Sequence, residues 1–301
     1  MESPVALIVY KRLETTRRVF EKIKEARPPR LYIIADGPKS KEDIPKCQAV
    51  RKIFDDAIDW NCQVYKIYSK TNLGLAKRVQ TGLDFVFKEE QKAIILEDDT
   101  LPDSSFFSFC DELLLKYEQN ENVAHISGCN LHSDAFKQNA SYCFSSIVNV
   151  WGWATWKRSW NHFDLKMKGW ADESKEDFLK KWCVTRAQAK GSREIFDQHC
   201  MNDDPWAWSY AWVYACWAND ALSIIPKVNL VSNIGFGPDA TNTTIANYNL
   251  IGIPETRGEI KSICHPNAIN RDLVYEKKAY HLERGTITRR IKQFIKRILK
   301  I

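Results

Sequence analysis

Hydrophobic residues over the first hundred positions fall into two alternating textures. Residues 5–10, 31–35, 64–68 and 93–96 are short apolar runs of buried-strand length. Between them, residues 15–26, 41–56 and 75–88 space apolar and polar positions at helical intervals, with Thr15 or Thr16 as the expected N-cap of the first helix. Asp36-Gly37-Pro38 stops the second run as a turn signal. This βαβαβαβ succession predicts an α/β fold with a mostly parallel central sheet and helices on both faces.

The second half has a different texture. Ten of the eleven tryptophans lie between Trp151 and Trp217, which concentrates bulky aromatic surface in one region. At helical spacing, Trp208 and Trp212 read as core, whereas Trp151, Trp153 and Trp206 are candidates for packing on the apolar face of a sugar ring. Residues 224–233 read as one further strand ending in Ile234-Gly235-Phe236-Gly237. Over residues 286–301, Ile287, Ile291, Phe294, Ile295, Ile298 and Leu299 recur at helical intervals among Arg and Lys. That pattern suits either a basic amphipathic helix attracted to an anionic membrane surface or a terminal helix docked on the domain.

Composition narrows the classes. The chain is 44% hydrophobic and 27% charged, which excludes a disordered or fibrous protein. No stretch reaches the ~18 apolar residues of a membrane span, and the N-terminus carries no small-residue cleavage site, so a cytoplasmic location is expected. The nine cysteines are odd in number and never spaced as a CxxC pair, which predicts reduced thiols and makes the triplets at Asn139 and Asn242 chance matches to a glycosylation signal. Six of the basic residues crowd the last thirteen positions, and no interleaved basic and aromatic surface appears, which argues against nucleic acid.

Ligands of such sheets bind in the crevice beyond the carboxyl ends of the strands. Two of the predicted strands end in acids, Asp36 and the triplet Glu97-Asp98-Asp99. Three adjacent carboxylates repel and raise one another's pKa, a cost that a divalent cation removes. Their hard oxygens suit Mg²⁺ or Mn²⁺, which is typically shared with substrate phosphates. The plain alternative is an exposed acidic turn.

The stretch Asn72-Leu73-Gly74-Leu75-Ala76-Lys77-Arg78, then Thr81-Gly82-Leu83-Asp84, then Ile95 through Asp103 with Phe106-Phe107, resembles bacterial glycosyltransferases related to family 2. It is also similar to the N-acetylglucosaminyltransferase I type, whose form of the DxD motif is Glu-Asp-Asp. Trp151-Gly152-Trp153-Ala154-Thr155-Trp156 and the run from Pro226 to Gly237 extend the resemblance, which spans roughly residues 5–244.

The resemblance implies a GT-A fold and transfer of a sugar, with inversion, from a nucleotide-sugar donor such as a UDP-sugar to a hydroxyl of a glycan or lipid-linked glycan acceptor. Polysaccharide or lipopolysaccharide assembly at the cytoplasmic face of the inner membrane would follow from family and tail together. It places Asp99 on the metal and Asp98 on the donor ribose or a metal-bound water, with Glu97 in the same donor site. Asp36 would sit near the base or ribose, although Asp-Gly is also a common turn former. Asn72 and Gly74 would shape the loop over the nucleotide, and Arg78 or Lys77 would neutralise the diphosphate, Lys77 doubling as a solvated helix face. Trp153 joins the donor candidates. The catalytic base would be Asp204 or, second, Asp203, whose other reading is an acid pair at a helix N-terminus. Several relatives carry an acid where this chain has Ser209, and often a histidine where it has Asn242, a poorer ligand; the metal is then held by Asp99 and the diphosphate alone, or with Asn242 or His265 contributing. On this view residues 1–130 form the nucleotide-sugar half and residues 131–266 the acceptor half of one domain, with residues 267–301 as its tail. A glycoside hydrolase and a catalytically inactive nucleotide-sugar or carbohydrate-binding protein are the rival classes.

Overall fold

The computed structural model describes residues 1–203, 205, 207–235 and 258–284. The first seven elements follow the predicted succession: β1 (Val5–Val9), α1 (Leu13–Ala26), β2 (Arg30–Ala35), α2 (Asp43–Asp56), β3 (Gln63–Tyr68), α3 (Leu75–Glu89) and β4 (Lys92–Glu97). β5 (Thr100–Pro102), α4 (Ser104–Lys116), β6 (Val123–Ser127), β7 (Tyr142–Ser145), β8 (Trp153–Trp156) and α5 (Lys157–Trp160) come next. Then follow α6 (Lys175–Trp182), α7 (Arg186–Met201), α8 (Trp208–Ala218), β9 (Leu222–Pro226) and β10 (Val231–Asn233). Residues 273–284 are helical. The predicted tail helix over residues 286–301 lies outside the described residues, and among those described no helix is long and apolar enough to cross a membrane.

Eight strands make one sheet in the order β3-β2-β1-β4-β8-β6-β9-β7. The half built from β3, β2, β1 and β4 is parallel throughout. β8 then runs antiparallel between β4 and β6, and β7 antiparallel to β9. β1 is buried at all five positions because both faces of the sheet are covered, which explains its unbroken apolar run. Its alternate residues serve two cores. Val5, Leu7 and Val9 pack with Val19, Phe20 and Ile23 of α1 and Phe106 and Leu113 of α4. Ala6 and Ile8 face Val79, Leu83 and Val86 of α3 and Trp212 of α8.

Two expectations change. α1 starts at Leu13, two residues before the threonine expected to cap it, and both threonine hydroxyls bond back to Arg12 O, Thr16 at 2.5 Å. Arg12 is itself held by acids across the sheet, and this anchor sets the start of the helix. The predicted strand over residues 224–233 is two strands. Asn229 breaks it by accepting from Asn130 N at 3.0 Å and donating to Val231 O at 2.9 Å. β10 leaves the main sheet and pairs antiparallel with β5, immediately after the acidic triplet.

The tryptophan-rich region forms the second core. α8 is apolar on nearly every side, and Trp208, Trp212, Tyr214, Cys216 and Trp217 are all buried, as expected of a helix enclosed by the domain. His125 of β6, fully buried, stacks 5.3 Å from Trp153; its Nδ1 accepts from Trp212 Nε1 at 3.1 Å and its Nε2 donates to Asn149 O at 2.9 Å. Burial pulls its pKa down to about 3. The unfolded chain therefore binds a proton near pH 6.5 that the folded chain refuses, so stability is complete above that pH and falls as pH drops toward 3. Between pH 7 and pH 5 this group should cost about 2 kcal/mol in urea melts, at about 1.4 kcal/mol per pH unit. His125→Gln should flatten that slope; an unchanged slope would show the histidine is not its source.

Candidate functional site

Where β1 leaves the sheet, the chain runs Tyr10-Lys11-Arg12 directly into α1. Beside it, β4 ends in Glu97-Asp98-Asp99, and Thr100 clamps this turn, its hydroxyl accepting from Glu97 N at 2.8 Å and donating to Glu97 O at 3.0 Å. Arg12 forks between the two aspartates. Its Nη2 pairs with Asp98 Oδ1, and its Nη1 lies 2.9 Å from Asp99 Oδ2. Tyr10 N donates to Asp98 Oδ2 at 3.3 Å. The ribbon of β5 and β10 closes the third side, where Ile234 N donates to Asp99 O at 2.8 Å. Gly235 follows, and a Cβ there would collide with Asp99 Oδ2 and sit 2.8 Å from Arg12 Nη1, so any side chain would have to displace these two charged ends.

Asp36, at the end of β2, spends its carboxylate on the chain itself. Oδ1 accepts from Gly37 N at 2.8 Å and Leu73 N at 2.9 Å, while Oδ2 accepts from Asn72 Nδ2 at 3.0 Å and Gly74 N at 3.1 Å. These bonds fold the loop before α3, whose N-cap Gly74 adopts φ +79°. The turn-forming reading of Asp36 thus describes its contacts, while the side chain also borders the cleft at the strand ends. Arg78, one turn into α3, is 6% exposed. Its Nη2 donates to Ile67 O at 3.2 Å, but its buried Nε has no partner among the described residues. Such an orphaned donor costs ~1–3 kcal/mol until something accepts from it. Burial lowers the Arg78 pKa, and Asp36 opposes that shift.

A cleft of about 240 Å³ opens at the carboxyl ends of β1, β2 and β4; Asp99 does not line it but is joined to it through its ion pair with Arg12. Its lining includes Lys11, Arg12, Asp36, Asn72, Gly74, Arg78, Glu97 and Asp98, so acids from two strands open on the same hollow. Two larger hollows, about 610 Å³ beside Arg271 and Asp272 and about 520 Å³ beside Asp111, lie elsewhere. Their charged groups are used structurally: Arg271 binds Glu276 at 2.7 Å, and Asp111 accepts from Ser3 N at 2.7 Å.

No protein-family model matches the chain, and no curated protein matches it. Solved structures match loosely. HddC from Yersinia pseudotuberculosis complexed with GMP-PN is 12% identical with a TM-score of 0.32, over 52% of this chain and 78% of that one. UDP-glucose pyrophosphorylase complexed with UDP-glucose is 11% identical with a TM-score of 0.33, over 54% of this chain and 79% of that one. At such TM-scores the likeness carries no argument about this chain, and the chemistry has to be read from the cleft.

The acids are poorly compensated. Burial, then Asp99 and Asp98, push the Glu97 pKa up. Burial also raises Asp98 although Arg12 pulls it down. Arg12 stays firmly charged because the two aspartates outweigh its own burial. Arg12 contacts only Asp98 and Asp99, and Glu97, its pKa pushed up to about 8, holds a proton near neutral pH. Two aspartates facing one guanidinium leave one negative charge over, and their oxygens are the hard donors that Mg²⁺ or Mn²⁺ prefers. Among the described residues no group of three or more His, Cys, Asp or Glu side chains is arranged to hold a metal alone. A cation at Asp99 fits if phosphate oxygens complete its shell, as is usual for Mg²⁺.

Other sequence candidates fall elsewhere. Trp153 has 0% exposure and stacks 5.6 Å from Trp208; β8 lies inside the sheet and turns this ring into the helical core, so it offers no face to a donor. His265 bonds Tyr142 OH at 3.0 Å and lies 3.4 Å from Glu112, so its ring nitrogens do not join the acidic turn. Lys77 is exposed, as its helix-face reading expects. Asp203 is exposed in the bend after α7 and is not among the described residues lining the cleft. Asp204, Trp206 and Asn242 lie outside the described residues. The residues that sequence reasoning missed are Tyr10, Lys11, Arg12 and Gly235. A basic pair directly after a buried strand whose neighbour ends in acids was the available signal for the first three.

Asp36→Ala would leave the amides of Leu73 and Gly74 and the Asn72 side chain without their acceptor. A loss of about 2–4 kcal/mol of unfolding free energy is expected from denaturant titration. A loss below about 0.5 kcal/mol would show that the loop does not depend on this carboxylate.

Proposed function

We propose that this chain is a metal-dependent glycosyltransferase that moves a sugar from a nucleoside-diphosphate sugar to a hydroxyl of a glycan or lipid-linked glycan. One observation carries the reading. The cleft at the carboxyl ends of adjacent parallel strands combines a buried guanidinium with an unpartnered donor, Arg78, and an acidic turn whose two aspartates share the single guanidinium of Arg12. A nucleoside diphosphate with a divalent cation supplies what both ends lack, an acceptor at one and positive charge at the other. The sequence resemblance points to the same substrate class.

In this reading Asp99 would hold the cation, and Asp98 would orient the donor ribose or a water on the cation. The cation, when bound, acts as a Lewis acid toward the leaving diphosphate. Asn72 and Gly74, fixed by Asp36, line the wall over the nucleotide, and Arg78 donates to an acceptor on it. The acceptor hydroxyl loses its proton to a carboxylate within hydrogen-bond reach as the new bond forms on the face opposite the departing UDP. Asp204 is the first candidate for this base and Asp203 the second, both a few residues before Trp208 in the sequence.

A panel of UDP-, GDP- and dTDP-sugars with Mn²⁺ tests the reading. One of these sugars should raise the melting temperature and, with a glycan acceptor, release its nucleoside diphosphate. Asp99→Asn should slow that release about 100-fold or more, equivalent to roughly 3 kcal/mol of charge stabilisation. Release of pyrophosphate would reassign the site to nucleotidyl transfer, and cleavage of a glycoside without nucleotide to a hydrolase. If a nucleotide sugar binds but nothing is transferred, the chain is a binding protein. No thermal response to any sugar nucleotide would end the proposal.

A further inference from the structure

Arg12 bridges Asp98 and Asp99, the two aspartates that the proposed donor site would offer to a cation. Its two Nη atoms each take one oxygen, from Asp98 and from Asp99. The fit is built in, because Gly235 lacks the side chain that would push this guanidinium aside. The bridge is largely shielded from solvent, with side-chain exposures of 19% for Arg12, 4% for Asp98 and 15% for Asp99, so it is screened less than a surface pair. Arg12 also lines the cleft, as does Arg78, 6% exposed, whose Nε is buried beneath the surface and unpartnered among the described residues. That second guanidinium marks the hollow as a place for an acceptor-rich ligand independently of the acids.

From this geometry we propose that Arg12 is a displaceable stand-in for the divalent cation, so that metal and nucleoside diphosphate bind with strong positive coupling. The inference rests on the donor site of the preceding section and adds the rule by which it fills. While Arg12 bridges the aspartates, a metal approaching Asp99 meets a positive charge and an oxygen already engaged. A diphosphate gives the guanidinium a second bidentate anionic partner. As Arg12 turns toward the phosphate, the oxygen it leaves on Asp99 becomes available to the cation, which also takes phosphate oxygens. Each ligand thereby removes the obstacle to the other, and the free protein keeps its acidic turn partly neutralised at all times.

The test is Mn²⁺ binding to the full chain, followed by the electron paramagnetic resonance of free Mn²⁺ and by calorimetry, with and without saturating UDP. In the wild type, UDP should tighten Mn²⁺ binding about 10- to 100-fold, within the usual range of coupling between sites. Arg12→Gln should bind Mn²⁺ at least about 10-fold more tightly than the wild type in the absence of UDP, and UDP should add little further. Arg12→Lys keeps the charge but cannot fork across both acids, so its nucleotide-free affinity should fall between the two; it serves as the decisive variant if the glutamine form does not fold. Asp99→Asn should abolish the bound fraction, which locates the metal. Equal Mn²⁺ affinity of the nucleotide-free wild type and both Arg12 variants would overturn the stand-in role even if UDP binds. Failure of UDP to bind any form would instead overturn the donor reading and the coupling with it, while the nucleotide-free series still measures whether Arg12 competes with metal.

Discussion

A turn that packs three carboxylates against the end of a buried strand is unstable unless positive charge is brought to it, and the pairing of Arg12 with Asp98 and Asp99 supplies that charge. Much of the surrounding structure serves this pairing. α1 begins directly after Arg12, the β5–β10 ribbon carries Gly235 into contact with it, and Thr100 holds the turn in shape. The compensation is incomplete, since one guanidinium faces two aspartates and the third acid, Glu97, is relieved only by taking up a proton. The residual charge is what turns a structural ion pair into a candidate site.

The parallel half of the sheet gives the site its place. Because β1, β2 and β4 run the same way, their carboxyl ends open together, and side chains from distant parts of the sequence converge there without any long loop. Asp36 does its work one step removed, by holding the backbone of residues 72–74 against the cleft. The mixed half, with β8 inserted antiparallel between β4 and β6 and β9 parallel to β6, backs onto a tryptophan-filled core.

The legible part of the fold was the part written in periodicity. Buried strands such as β1 and amphipathic helices such as α3 announce themselves because both faces of the sheet are covered and the helices are not. The acids at two neighbouring strand ends could be placed in one crevice for the same reason. What stayed illegible depends on long-range partners. Nothing near Arg12 in the chain indicates that its counterions lie 86 and 87 positions away. A tryptophan suited to a sugar ring and one suited to a core look alike until the sheet order is known, and Trp153 belongs to the core because β8 sits in the interior of the sheet. Nor does an apolar run such as residues 224–233 reveal the break that Asn229 makes by bonding to Asn130.

The most direct test of the central claim is anomalous diffraction at the manganese edge from crystals grown with Mn²⁺ and a UDP-sugar. The account predicts a single strong peak at coordination distance, about 2.0–2.2 Å, from the Asp99 carboxylate. It also predicts a diphosphate beside that peak and an Arg12 side chain turned from the aspartates toward the phosphate. A diphosphate bound away from the carboxyl ends of β1, β2 and β4, or one bound there with Arg12 still bridging Asp98 and Asp99 and no metal at the turn, would contradict it.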